Sequence, residues 1–322
     1  MKTVITGGAG FIGSHLTEHL LAAGDEVTVL DNLSTGSRDN LANVEDHPNF
    51  RFIEGSILER DAVIKLVSKA DRVFHLAAAV GVHLIVDHPL ESLRTNIHGT
   101  EVVLDACREA NASLLLASTS EIYGKNTADA LHEESDRVLG SPLKSRWTYA
   151  AAKGIDEAFA HAYWRQFGLR VSIIRLFNTV GPRQTGRYGM VVPNLVGQAL
   201  RGEPLTVFGD GTQTRCFTFV DDTVRGTFLA GMSSAVDGTV INLGNPYEIS
   251  ILELADLVRN LVGADTPLAF IPYEERFGKD FEDTGRRVPD VTRAKELLGW
   301  EPTVDLDEGL GRTLEWWKQT FS

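Results

Sequence analysis

The sequence predicts an α/β protein, a doubly wound parallel sheet followed by a smaller, irregular C-terminal domain. Three observations carry that expectation. Short Val/Ile/Leu-rich runs without strict alternation recur through the first half, as parallel strands buried on both faces require. Helix-period segments separate them, giving the β-α rhythm of a parallel sheet with helices on both faces. After Gly181-Pro182 that rhythm breaks into shorter elements with denser glycine and proline.

The strands are expected at Lys2–Thr6, Glu26–Asp31, Phe50–Glu54, 72–76, 113–118 and 170–176, and the main helices at 13–23, 95–110 and 149–167. Residues 125–146 read as a polar, acidic surface loop. Beyond 181, short elements are expected at 191–201, Leu205–Phe208, Ile251–Val262 and 305–318, while 221–231 and 239–243 supply one further helix and strand to the main sheet. The expected division is therefore residues 1–180 plus roughly 217–244 for the first domain, and 181–216 with 245–322 for the second. There is no internal repeat and no low-complexity tract.

Composition narrows the function classes. With 43% hydrophobic and 23% charged residues, the 322-residue chain is globular rather than disordered. It carries 31 Lys plus Arg against 44 Asp plus Glu, a formal charge of −13. Such a balance argues against a nucleic-acid binder, which needs a basic face, and against attachment to an anionic membrane. Cys107 and Cys216 lack metal-ligand or redox spacing, which fits a reducing, cytoplasmic setting. No apolar run reaches a membrane span, and the N-terminus enters a strand pattern at once, so no signal peptide is expected.

Two constellations carry chemistry. The first is Thr6-Gly7-Gly8-Ala9-Gly10-Phe11-Ile12-Gly13, between the first strand and the first helix. Gly7 permits the tight turn, Gly10 lets a pyrophosphate approach, and Gly13 lets the helix pack near the sheet. The helix N-terminus supplies backbone donors and a favourable dipole. Asp31, ending the second strand, is placed to accept hydrogen bonds from an adenosine ribose, and its charge would repel a 2′-phosphate, which favours NAD over NADP. The second is Tyr149-Ala-Ala-Ala-Lys153, whose spacing puts both side chains on one helix face. A tyrosine titrates near about 10 by itself, and a neighbouring ammonium favours its phenolate. Ser118-Thr119-Ser120-Glu121 ends the strand before it.

Together with Phe74 to Ala78, Asn96 and Phe177 to Arg183, these motifs resemble extended short-chain dehydrogenases/reductases acting on nucleotide sugars, and the likeness runs through nearly the whole chain. The resemblance implies a Rossmann-type N-terminal domain holding NAD and a C-terminal domain gripping a nucleotide diphosphate. Tyr149 is then the base that removes a sugar hydroxyl proton, Thr119 hydrogen-bonds that hydroxyl, and Lys153 also binds the nicotinamide ribose. It further implies that NAD contacts Gly7, Gly10, Phe11, Ile12, Gly13, Asp31, Asn32, Ser34, Gly36, Ser56 and Ile57. Leu76, Ala77, Ala78, Asn96, Ser118, Phe177 and Val180 complete the cofactor set. Asn178, Val191, Val192, Thr206, Phe208, Gln213, Arg215 and Arg286, with Thr119, are implied to bind the substrate.

Within that superfamily a transient 4-keto sugar is re-reduced, dehydrated or decarboxylated. Simple 4-epimerases usually carry small hydroxyl residues where Glu121 stands, and glucose-nucleotide 4,6-dehydratases an Asp-Glu pair. Thr119-Ser120-Glu121 is similar to UDP-glucuronate decarboxylases (UDP-xylose synthases) and to GDP-mannose 4,6-dehydratases. The segments 205–215, 285–290 and 294–302 resemble the decarboxylases, with Arg287 at their active-site arginine. Residues 79–87 and 184–190 depart from that pattern. The resemblance thus implies UDP-glucuronate as the substrate, with catalysis by Thr119, Glu121, Tyr149, Lys153 and Arg287. A nucleotide-sugar 4-epimerase and a 4,6-dehydratase stand as alternatives, and a non-catalytic NAD or nucleotide-sugar binding regulator as a reading of another class.

The remaining features have plain structural readings. None of the nine histidines, His83 and His88 included, pairs at metal-ligand spacing, and no metal is expected. Trp316-Trp317 packs a terminal helix, Cys216 is a small buried residue, and the acidic stretch 129–136 solvates the surface. The helices at 95–110 and 149–167 are implied by the resemblance to build a homodimer through a four-helix bundle.

Overall fold

The computed structural model describes residues 1–80, 88–186, 190–277, 282 and 284–321. Its centre is a seven-stranded sheet. Strands β1 (Lys2–Thr6), β2 (Glu26–Asp31), β3 (Phe50–Glu54), β4 (Arg72–His75), β5 (Ser113–Thr119) and β6 (Val171–Leu176) follow the expected positions to within a residue. Shorter strands follow: β7 (Thr179–Val180), β8 (Leu205–Phe208), β9 (Thr214–Cys216), β10 (Thr218–Phe219), β11 (Val240–Leu243), β12 (Glu248–Ser250) and β13 (Leu268–Ile271).

The sheet order is β11-β6-β5-β4-β1-β2-β3, every pairing in it parallel. Apolar faces on both sides explain why the strands read as unbroken hydrophobic runs: in β6, Val171, Ile173 and Ile174 are all buried. One face is covered by helices Phe11–Ala22 and Val220–Met232, whose Leu16, Leu20 and Val224 share a core with Ile5, Val29 and Ile174. The other is covered by Arg60–Val67, Gly99–Ala110 and Thr148–Phe167, packing Val63, Val103 and Ala160 on Val4, Val73 and Leu116.

Chain order reverses between β1 and β4, which are neighbours in the sheet but far apart in sequence. Such a switch point opens a crevice at the carboxyl ends of the strands, where ligands of open α/β sheets bind. The chain beyond β7 adds a third core in which Leu195, Val207, Leu254, Leu310 and Leu314 meet. Helix Ile251–Val262 starts on a full capping box, Ser250 accepting from the Glu253 amide and the Glu253 carboxylate accepting in return. Trp317 packs against this third core, as the apolar spacing of the terminal helix suggests.

The stretch 125–146 corrects the sequence reading. It contains little regular structure, yet Leu131 and Glu133 are buried. The Glu133 carboxylate accepts the Asn242 amide at 2.8 Å, so this acid is part of the interior and not of a solvating run. Among the described residues, no helix is long and apolar enough to cross a membrane.

Candidate active site

The glycine-rich loop lies at the switch point. Gly7 has φ +76°, and a Cβ there would sit 2.6 Å from the Ala77 backbone nitrogen, so the loop is pressed against the chain leaving β4. A Cβ on Gly13 would sit 2.2 Å from the Gly7 carbonyl oxygen, which is why the helix can start so close to the strand. Gly10 is the N-cap of Phe11–Ala22 and no side chain caps that helix, leaving its first amides to a ligand. Asp31 accepts from the Ala9 amide at 2.9 Å and from the Leu33 amide at 2.8 Å. Burial raises its carboxyl from the usual value while these amides oppose the shift. An uncapped helix end beside a fixed carboxylate is the donor and acceptor set that the adenosine diphosphate of NAD requires.

Across the crevice, Asn96 is buried and clamps the peptide of Ala79, accepting its amide at 2.8 Å and donating to its carbonyl at 3.2 Å. Asn96 therefore fixes the chain after Ala77 and Ala78. His75, buried below it, bridges the Thr6 hydroxyl at 2.7 Å and the Thr100 hydroxyl at 3.0 Å. Desolvation, helped by the Lys153 charge, lowers its imidazole to about 3, so the ring is neutral.

The catalytic candidates converge where β5 ends. Thr119 caps the following turn, its hydroxyl accepting the Glu121 amide at 3.2 Å. Glu121 sits between two guanidinium groups. Arg287 donates to Oε1 at 2.9 Å, Arg146 donates to the same oxygen at 3.0 Å, and a second Arg146 nitrogen donates to Oε2. The side chains are largely enclosed, Arg287 6%, Arg146 11% and Glu121 21% exposed. Burial by itself would raise the Glu121 carboxyl, but Arg287 and Arg146 outweigh it and hold it down at about 2. In the trio two guanidinium groups meet one carboxylate. Arg146 was not singled out by the sequence, because it lies in the irregular stretch that read as surface loop.

Tyr149 and Lys153 share the helix Thr148–Phe167, both buried. Burial raises the Tyr149 phenol, and the Glu121 and Asp156 charges push it the same way. The Lys153 ammonium donates to Asp156 at 2.9 Å, and among the described residues no hydrogen bond joins it to Tyr149. The lysine of the expected lysine–tyrosine pair is thus paired with a carboxylate, Asp156.

Residues 4–313 match the family described as GDP-mannose 4,6 dehydratase. The chain belongs to that family. The UDP-N-acetyl-alpha-D-glucosaminuronate decarboxylase of Bacillus cytotoxicus is 40% identical over 319 residues, 99% of this chain and 98% of that protein. UDP-glucuronic acid decarboxylase 1 of Xenopus tropicalis is 41% identical over 320 residues, 99% of this chain and 72% of that protein. Among solved structures, UDP-glucuronic acid 4-epimerase from Bacillus cereus, in complex with UDP-glucuronic acid and NAD, superposes with a TM-score of 0.90 at 32% identity, covering 99% of this chain and all of that one. These relatives of one fold differ in reaction, so chemistry must be argued from the site.

In this member of the GDP-mannose 4,6 dehydratase family the other expected residues fall in three places. Asn32 turns its side chain to the Ser34 amide, and Gly36 packs on the Ala9 backbone beside the glycine loop. Ile57 is buried against Gly99, next to Ser56 at the end of β3. Ser118 donates to Glu157 at 2.5 Å, joining a buried network in which Glu157 pairs with Arg175 at 2.7 Å. Phe177 packs on Ile122, Tyr123 and Leu131, while Val180 and Val192 belong to the third core, with Val191 against it.

The C-terminal candidates form a second cluster. Asn178 donates to the Cys216 carbonyl at 3.0 Å, and Thr206 exchanges hydrogen bonds with Gln198. Gln213 donates to the Phe208 carbonyl at 3.0 Å and to the Tyr273 hydroxyl at 2.9 Å, and the Phe208 and Tyr273 rings lie 6.1 Å apart. Tyr273 escaped the sequence reading, since its helix, Tyr273–Phe277, is a single short turn that carries no recognisable motif. Arg286 is bound by Glu248 at 2.9 Å, and Arg215 bonds the Thr214 carbonyl at 2.7 Å. Cys216 is buried, and desolvation and then Glu248 push its thiol up to about 12 while Arg286, Arg287 and Arg215 oppose the shift. Arg183 does not join them, because it turns to Ser14 and Glu18 on the first helix. Arg187, His83 and most of the departing segment 79–87 lie outside the described residues.

Proposed function

We propose that the chain is an NAD-dependent decarboxylase of UDP-glucuronate, working through a 4-keto sugar to UDP-xylose or the UDP-4-keto-pentose. The observation that carries this reading is the Arg146–Glu121–Arg287 trio beside Tyr149, an enclosed site that brings two guanidinium groups together at one carboxylate. A neutral hexose offers such groups no opposite charge, whereas the C6 carboxylate of a uronate does. A glucose-nucleotide dehydratase carries an Asp-Glu pair, and here Ser120 stands in the place of that aspartic acid.

NAD, when bound along the glycine loop and Asp31, supplies a hydride acceptor. Tyr149 takes the proton of the C4 hydroxyl, with Thr119 holding the same oxygen and Lys153 favouring the phenolate. The resulting ketone lies β to the carboxylate, so the C5–C6 bond breaks with its electron pair passing to the C4 oxygen. Thr119 and the Tyr149 phenol donate to that enolate, and donors fixed in advance commonly give the largest catalytic term. Arg287 and Arg146 keep the carboxylate out of the ring plane until it leaves as carbon dioxide. Glu121, being ionised, orients them and a water that protonates C5.

The uridine diphosphate is read onto Arg286, Arg215, Gln213, Phe208, Thr206, Asn178, Val191 and Val192, in a second domain of residues 181–216 and 245–322 set against the first. The 2-acetamido uronate named for the Bacillus cytotoxicus relative is the second reading, favoured by that protein matching over nearly its whole length. The working protein is proposed to be a cytoplasmic homodimer, supported by Ile155 and Phe167, which are 43% and 51% exposed on the helix Thr148–Phe167. Incubation with UDP-glucuronate, its 2-acetamido analogue and UDP-glucose, followed by mass spectrometry, tests the reading. Loss of carbon dioxide from one uronate is expected. Products of unchanged mass from all three overturn it in favour of the epimerase.

A further inference from the structure

Asp156 is a buried acid that the mechanism does not use. Asp156 is fully enclosed, on the same helix as Lys153 and three residues on, and its Oδ2 takes the lysine ammonium at 2.9 Å. Its other oxygen has no hydrogen-bond partner among the described residues. A buried carboxylate spends this freedom only where an opposite charge compensates it, and here that charge is the lysine expected to activate Tyr149.

Among the described residues the surroundings supply no second ion-pair partner. From the Gly99–Ala110 helix comes Thr100, a neutral hydroxyl bonded to His75 at 3.0 Å. From β4 comes His75, which is neutral. Glu157 on the same helix is occupied by Arg175 and Ser118. Glu121, from the turn after β5, faces Tyr149 with its own charge already matched by Arg146 and Arg287. The ammonium that should lower the phenol is thus paired, among the described residues, with the Asp156 carboxylate.

We propose that Asp156 is a positioning residue that anchors Lys153 and tempers its field at Tyr149, keeping the phenol protonated, and so able to donate to an enolate, for more of the working pH range. This rests on Tyr149 being the base of the reading above. Removing the carboxylate leaves the lysine charge uncompensated and takes one negative charge from the neighbourhood of the phenol. Both changes favour phenolate.

The test is a titration of Tyr149 itself, followed by near-ultraviolet tyrosinate absorbance against pH, with the Tyr149→Phe protein as the blank. It does not depend on which sugar is turned over. In Asp156→Asn the midpoint is expected to fall by about one pH unit or more, a tenfold or greater change in the ionisation constant. The same substitution in a Lys153→Met background is expected to shift it less, because the lysine is the intermediary. Asp156→Ser, smaller and neutral, serves in the same way if the asparagine variant does not fold. A midpoint that stays put in a folded neutral variant, or a shift equally large without Lys153, overturns the proposal. Decarboxylation failing in wild-type protein while the midpoint moves as stated would reject the substrate and leave this role of Asp156 standing.

Discussion

Glu121 shows how little a residue's type says about its role without its neighbours. A glutamate after a strand could be an acid, a base or a solvated loop residue. Two arginines make it a permanent anion, its carboxyl held at about 2 against an ordinary 4.5. Because the folded value lies below the unfolded one, the stability it contributes is full above about pH 4.5 and is lost as pH falls toward about 2. The rate profile between about pH 5 and 8 should accordingly carry no limb that disappears in Glu121→Gln. Arg146 should matter as much as the arginine the sequence did signal. Arg146→Gln is expected to cost about 10²–10³ in kcat, the usual toll for one oriented donor, with NAD affinity unchanged by fluorescence titration. Activity within a few-fold of wild type would reduce Arg146 to a structural partner of Glu121. Its pairing with Glu121 spans 25 residues and that of Arg287 spans 166, which explains why neither left a local signal.

Elements were far more legible than the contacts between them. Strands buried on both faces must be apolar throughout, so β1 to β6 announced themselves, and the short element expected at Ile251–Val262 is a helix that Ser250 and Glu253 cap. What periodicity could not reveal is the polar interior: Glu133 reaching Asn242, or His75 strung between Thr6 and Thr100. A buried polar group looks in sequence like any exposed one. The His75 bridge makes a prediction at this scale. Its imidazole is depressed to about 3, below the unfolded value of 6.5, so its contribution is intact above pH 6.5 and erodes as pH falls toward about 3. Between pH 6.5 and pH 5 the loss amounts to about 2 kcal/mol. Denaturant unfolding at the two pH values should show that loss in the wild-type protein and a visibly smaller one in His75→Gln. Equal pH dependence in the two would place the titrating group elsewhere.

The molecule as a whole is acidic, with a formal charge of −13, while its proposed ligand is itself an anion. Long-range forces should oppose binding, and recognition then falls to short-range contacts with arginines: the proposed set is Arg146 and Arg287, both enclosed, at the carboxylate, and Arg215 with the more exposed Arg286 at the diphosphate. Raising ionic strength from low values is expected to increase kcat/KM for the uronate, since salt screens the distant repulsion before it reaches buried pairs. A steady fall with salt would mean that local positive field dominates the approach. Assembly is a separate matter of shape. If the helix Thr148–Phe167 pairs with a second copy, Ile155→Lys should shift sedimentation from dimer toward monomer without moving the near-ultraviolet spectrum of the site. The fold was readable from spacing and the family from a resemblance of motifs, but the proposed reaction hangs on a carboxylate held between two arginines. Its most direct test is UDP-glucuronate labelled with carbon-13 at C6, followed by NMR in the presence of the purified protein and NAD. The label should leave the sugar and appear as bicarbonate; a label that stays on the ring, in a C4 epimer or unchanged substrate, contradicts the account.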